Sequence, residues 1–268
     1  FRETERIKDN IRQFYFIVNI NMKLNLIIFI SILKWLKVHL RKNVFSYIIV
    51  IITIVACVAL IKYSNRKRYG GPWRLSTVVY NIDDSVPFSM KYRIREIMNE
   101  ITNVSGIKFR ERNGSDIAYV NIIYMTDDSR GCSSLVGCHD SKQDLTLLPY
   151  CVDDDNSIKH ELMHAIGFTH EQSRPDRDEF IDINYDNIND YNEYNYNIEK
   201  NFAWDDITRM LPYDVKSIVH YSGTGNSVNG KPSITDKSGN IIEKNNDFSE
   251  GDIIKLRKYY ELYKDYVF

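Results

Sequence analysis

The chain has 268 residues, 43% of them hydrophobic, with 35 basic and 36 acidic side chains and a formal net charge of -1. That length accommodates one domain of catalytic size plus an extension. Charge so close to balance leaves no electrostatic footprint for a phosphate backbone, which argues against nucleic acid as a partner.

The first residue is Phe rather than Met, so the sequence reads as a fragment or as one extended upstream of its start. Residues 1–43 form an N-terminal extension. Its run from Phe14 to Leu36 is interrupted by Asn19, Asn21, Lys23, Asn25 and Lys34. If translation begins at Met22, Lys23 and the apolar stretch from Leu24 to Leu33 resemble a signal sequence, and a second span fits equally. Residues 44–63, Val44 to Tyr63, are apolar on all sides with one charge near the end. At about 1.5 Å per residue they cross a hydrocarbon core of about 30 Å, so a transmembrane helix is expected there.

Basic residues flank that run on both sides, Lys34, Lys37, Arg41 and Lys42 before it and Lys62, Arg66, Lys67 and Arg68 after it, leaving orientation undecided by charge. Residues 64–71 are a basic linker, in which Arg66 to Arg68 serve as a membrane flank or a processing site. Two acceptor sequons, at Asn103 and Asn113, and the cysteine pair fit an extracellular or lumenal domain, either membrane-held or secreted after processing.

A globular domain is expected over residues 72–268. It opens with a β-branched strand, Ser76 to Tyr80. Met90, Ile94, Ile97, Met98 and Ile101 recur at helical spacing, which predicts a long helix over Pro87 to Ser105. Strands are expected at Ile107 to Arg110, Tyr119 to Met125 and Leu145 to Leu148. Cys57 lies in the apolar run, so Cys132, Cys138 and Cys151 permit at most one bridge in the domain. The stretch from Asn184 to Asn201 has the composition of a disordered tract, yet the aromatics from Tyr185 to Phe202 favour an ordered, packed loop. Ser249 to Leu262 reads as a closing helix, with Ser249 and Asp252 placed as a near capping box and Ile253, Leu256 and Tyr260 at helical spacing.

The most informative stretch runs from His160 to Glu171, HELMHAIGFTHE. Histidines four apart on a helix lie about 40° apart around its axis, so His160 and His164 can face one ion. Ile158, Leu162, Ala165 and Ile166 form the opposite, apolar side. Gly167 ends the helix, because glycine takes positive φ without steric cost, and the turn swings His170 back as a third ligand. Three neutral imidazoles leave one position open on a tetrahedral zinc ion, which is the mark of a catalytic site. Glu161 beside them is a carboxylate that a structural zinc site does not need.

HExxHxxGxxH is the metzincin signature. Glu171 directly after the third His, with Arg174, Asp176, Arg177 and Asp178 in HEQSRPDRD, resembles the astacin family, as does Tyr213 to Tyr221 beside that family's YDYxSIMHY turn. The resemblance implies an α+β metzincin fold: an N-terminal subdomain with a twisted, mixed five-stranded sheet and two long helices, a mostly irregular C-terminal subdomain with one closing helix, and the cleft between them. It implies one zinc ion per chain on His160, His164 and His170, Glu161 as general base, and Tyr221 as switchable ligand and oxyanion donor. Val219 stands where the family has the methionine packed beneath the histidines. Glu171 matches the residue that accepts, through water, a mature amino terminus.

The same resemblance implies a Cys132–Cys151 disulfide and leaves Cys138 as an addition. A second family bridge is missing at both ends, with Gly106 at one of its places. Leu145 to Leu148 matches the cleft-edge strand, to which an extended protein or peptide substrate would add antiparallel. The expected function is zinc-dependent endopeptidase. The rival is a non-catalytic, membrane-anchored peptide-binding module on the same fold, motivated by Val219 and the missing bridge.

Overall fold

The parallel arrangement of the main sheet follows from the helix that separates its first two strands, since parallel neighbours need a long crossover. In the computed structural model, which describes residues 70–126, 131–152, 154–199, 207 and 210–267, the chain runs through β1 (Thr77–Ile82), α1 (Phe88–Ser105), β2 (Lys108–Glu111), β3 (Tyr119–Tyr124), β4 (Ser133–Ser134) and β5 (Lys142–Leu147). A one-turn α2 (Pro149–Val152), α3 (Asp155–Ile166), β6 (Ile181–Ile183), β7 (Ile234–Asp236) and α4 (Glu250–Tyr263) follow. These elements belong to the compact unit Tyr63–Phe268. The expected extension 1–43, the transmembrane helix 44–63 and all but the last two residues of the linker 64–71 lie outside the described residues. Among the described residues, no helix is long and apolar enough to cross a membrane.

The five strands are ordered β2-β1-β3-β5-β4. β1 runs parallel to β2 and β3, and β3 parallel to β5, with Tyr80 opposite Val120 and Ile122 opposite Leu145. β4 pairs antiparallel with β5, which makes the sheet mixed. The apolar start of β3 is buried residue after residue, as a mid-sheet strand requires. Its core partners include Met90, Ile94, Ile97, Met98 and Ile101 of α1 and Ile158, Leu162, Ala165 and Ile166 of α3.

One expectation needs correcting. The strand expected at Leu145 to Leu148 begins at Lys142 and lies inside the sheet, and the edge is β4. Gln143 hid the longer strand: it is buried, yet its amide is satisfied, donating to Gly137 O (2.7 Å) and accepting from His139 N (3.1 Å). β4 itself is two serines, too short for any periodic signal.

The helix that carries the histidines is well terminated. Asp154 caps its start, accepting from Asn156 N and Ser157 Oγ. At its end Gly167 takes φ 142°, a conformation closed to most side chains. The last carbonyls of a helix lack intrahelical donors. Here Gly137 N donates to His164 O (2.9 Å) and the Trp73 indole to Ala165 O (2.7 Å). Trp73 N also donates to the Tyr259 hydroxyl (2.9 Å), so one buried residue joins the domain's first turn to α3 and α4.

Cys132 and Cys151 are bonded, tying the approach to β4 to α2, and Cys138 is free and buried. Burial pushes the Cys138 thiol up to about 11. Where the second family bridge is missing, Gly106 closes α1 in the left-handed region and the Tyr260 ring of α4 would lie 3.1 Å from a Cβ there. Arg257 of α4 donates to Val104 O (2.7 Å), so a ring and a guanidinium hold the two helices at that place.

The C-terminal part has its own small core of Ile181, Ile188, Tyr196, Ile234 and Ile242 around the antiparallel pair β6–β7. The Asn-rich stretch is ordered through its described residues by short turns at Tyr185–Asn187 and Glu193–Tyr196. Packing there is selective: Tyr196 is fully buried, while Tyr191 and Tyr194 are 80% and 66% exposed. α4 starts with a complete capping box between Ser249 and Asp252, close to the expected boundary.

The Trp73 bonds give a direct test. Replacing Trp73 with Phe leaves the Ala165 carbonyl buried without its donor and removes part of a packed ring, and should cost about 2–4 kcal/mol in unfolding free energy. Urea denaturation of the two proteins reads it, and a loss below about 0.5 kcal/mol would deny Trp73 this tying role.

Candidate active site

Three imidazoles meet at one point. The His160 and His164 Nε2 atoms are 3.0 Å apart, His164 and His170 3.2 Å, and His160 and His170 3.3 Å. Two other ring nitrogens explain why. His160 Nδ1 lies 2.8 Å from Ile218 O and His164 Nδ1 lies 2.6 Å from Phe168 O. A carbonyl can only accept, so each Nδ1 carries the proton and each Nε2 presents a bare lone pair. Burial lowers the pKa of all three rings, to about 3 for His164 and well below the usual histidine range for His170, and neighbouring imidazoles add to it for these two.

Bare lone pairs held this close repel unless a cation sits between them. A tetrahedral ion with bonds of about 2.0–2.1 Å has ligand–ligand edges of about 3.3 Å, so the three nitrogens fit zinc in number, type, charge and spacing. Among the described residues this is the group of His, Cys, Asp and Glu side chains that can hold a metal.

Glu161 follows His160 on α3 and is 5% exposed. Its Oε2 is buried and has no hydrogen-bond partner among the described residues. Burial raises its pKa to about 8, opposed only by a backbone hydrogen bond from Ser134 of β4. A carboxylate left poor in partners beside an electrophilic centre is what proton transfer at neutral pH requires.

The turn from Tyr213 to Tyr221 forms the floor. The Tyr221 ring centroid is 4.4 Å from that of His170 and 6.5 Å from that of His160. Its backbone N–H donates to Gln172 Oε1 (3.1 Å), and burial pushes its phenol pKa up. Val219 is buried, and its carbonyl accepts from Glu171 N (3.2 Å).

Glu171 is 2% exposed and engaged by donors of the chain itself. Oε1 accepts from Arg174 Nη1 (2.9 Å) and Asp214 N (3.1 Å), and Oε2 from Lys255 Nζ (2.6 Å). Lys255, Gln172 and β4 were not singled out from the sequence. Lys255 alone had a signal: with Asp252 it shares the face of α4 that carries Leu256 and Tyr259, and charge on an apolar stripe asks for a partner.

Mixed sheet, histidine-bearing helix and returning third histidine together define a metzincin scaffold. The family model for Astacin, a family of peptidases, matches residues 65–261. The chain belongs to the astacin family. It is 34% identical over 194 residues to zinc metalloproteinase nas-13 of Caenorhabditis elegans, covering 70% of this chain and 40% of that protein. It is 33% identical over 188 residues to meprin A subunit beta of Rattus norvegicus, covering 69% of this chain and 26% of that protein. The chain thus matches less than half the length of these relatives. Among solved structures it resembles high choriolytic enzyme 1, a hatching-enzyme zinc protease of Oryzias latipes, with a TM-score of 0.63 and 26% identity over 73% of this chain and 96% of that one.

The raised Glu161 pKa sets a pH test on chelator-stripped protein. The folded state holds that proton more tightly than the unfolded chain, whose value is near 4.5. The destabilisation from the ionised form is therefore absent below about pH 4.5, grows as pH rises, and levels off above about 8. Melting temperatures of wild type and Glu161→Gln should diverge in the variant's favour across that window. A gap independent of pH would refute the shift.

Proposed function

We propose that the chain is a zinc-dependent endopeptidase that hydrolyses peptide bonds in proteins, with Glu161 as general base. One observation carries the reading: three imidazole Nε2 atoms within 3.3 Å of one another, beside a buried carboxylate oxygen with no partner. His160, His164 and His170 would hold one zinc ion per chain, which supplies Lewis acidity toward the scissile carbonyl and lowers the pKa of water to about 7.

The remaining steps belong to side chains. Glu161 takes the proton of the attacking water at Oε2 and returns it to the departing nitrogen. Tyr221, kept protonated by burial, donates its hydroxyl hydrogen to the carbonyl oxygen as charge develops. The substrate lies extended along β4 and adds to that edge antiparallel through main-chain hydrogen bonds. Ser134 supports this placement, because its backbone bonds to Glu161 and so sets the edge in register with the base.

The rest of the chain is read with this site. Residues 44–63 anchor it in a membrane, 1–43 and 64–71 flank that span, and 72–268 form the catalytic domain on the extracellular or lumenal side, where the Cys132–Cys151 bridge persists. The non-catalytic peptide-binding module is disfavoured by Glu161, whose buried Oε2 without a partner is a cost without purpose in a module that only binds.

Cleavage of a denatured protein substrate tests the reading. Activity should vanish with chelator, return with zinc, and vanish in Glu161→Ala while zinc binding persists. Tyr221→Phe should lower kcat about 100-fold with KM little changed. Zinc-loaded wild type that cleaves no substrate would sink the proposal.

A further inference from the structure

Two of the three metal ligands connect to one face of α4. Asp252, fully buried, accepts from Ser217 Oγ (2.6 Å) and Ile218 N (2.7 Å), and the carbonyl of that same Ile218 accepts from His160 Nδ1 (2.8 Å). One turn along, Lys255 is 2% exposed and donates from Nζ to Glu171 Oε2 (2.6 Å), in the residue that follows His170. Nζ also stands 3.8 Å from Asp252 Oδ1. The ammonium thus lies between the two carboxylates that lead to His160 and to His170.

An ammonium ion buried this deeply is stable only while its partners stay in place. α4 has supports besides this ammonium: a full capping box, and Leu256 and Tyr259 buried on the same face. Glu171, in turn, receives Arg174 on its other oxygen, and Arg174 is itself fixed by Leu211 O, Pro212 O and Asp176. Displacing Lys255 would leave Glu171 free to move toward Arg174 and carry the His170 backbone with it.

We infer that Lys255 is a positioning residue for the metal centre, setting the separation of His160 from His170 through Asp252 and Glu171. The inference rests on the zinc-peptidase reading above. It makes the charge balance of Glu171 internal to the chain, because Oε1 and Oε2 are both taken by donors of the domain. Outer-shell partners of metal ligands typically contribute 10- to 100-fold in metal affinity or activity, and Lys255 belongs in that range.

The test compares Lys255→Met, Lys255→Arg and Ile94→Ala, a cavity variant on the buried face of α1 that is none of the groups joining Lys255 to the histidines. Zinc affinity is measured by competition with a chromogenic chelator, ligand geometry by the visible absorption of the Co2+-substituted protein, and kcat and KM on a denatured protein substrate. Lys255→Met should bind zinc 10- to 100-fold more weakly, shift the Co2+ bands and lose kcat at saturating zinc with KM unchanged. Lys255→Arg should recover part of each, and Ile94→Ala should melt earlier while matching wild type in all three. If Lys255→Met does not fold, the Glu171→Gln/Lys255→Met pair removes both charges together and is read in the same way. Either variant melting earlier with wild-type zinc affinity and Co2+ spectrum would overturn the inference. Wild type that binds zinc without cleaving any substrate would defeat the peptidase reading alone, since affinity and spectrum are read independently of activity.

Discussion

Three imidazole Nε2 atoms held within 3.3 Å of one another are the constraint on which the rest of this domain depends. Nothing about a helix alone produces that convergence. α3 supplies two rings at the right spacing, but each ring would rotate freely without a partner for its other nitrogen. Ile218 and Phe168 supply those partners from outside the helix, one from the floor turn and one from the chain just beyond Gly167. Orientation of the ligands is therefore a property of loops whose carbonyls are fixed, and much of the remaining structure serves to fix them.

The two glutamates next to ligands show how the same residue type is used in opposite ways. Glu161 follows His160 and is kept poor in partners, so burial raises its pKa. Glu171 follows His170 and is saturated by Lys255, Arg174 and Asp214 N, so it can anchor but has no free oxygen with which to react. Burial is nearly equal for the two, at 5% and 2% exposure, and the number of donors is what sets them apart.

Legibility in the sequence follows the distance over which each feature is encoded. The three histidines, Glu161 and the Gly167 turn fall within one short local pattern and could be read directly. α1 and α4 announced themselves by apolar spacing and, for α4, by its capping box. The cleft edge could not be read, because β4 is two serines paired to a strand whose polar start disguised its length. The Lys255–Glu171 pair was equally hidden, joining residues 84 positions apart, and no local pattern records a contact of that range. The bond from Trp73 to the end of α3, across 92 positions, left no local pattern either.

Val219 and the absent second bridge looked in the sequence like losses at the site, and each is answered by what occupies its place. Around the floor turn the groups that reach the site are main chain: Ile218 O receives His160, Val219 O receives Glu171 N, and Tyr221 N is held by Gln172. The side chain of Val219 is 1% exposed and belongs to the main core. Exchanging methionine for valine there alters packing and leaves these main-chain bonds intact. At the other place, Tyr260 against Gly106 and Arg257 on Val104 O join α4 to the end of α1, where the family has sulfur. Neither change falls on His160, His164, His170 or Glu161, and at each place other contacts of the chain stand where the family's feature is missing.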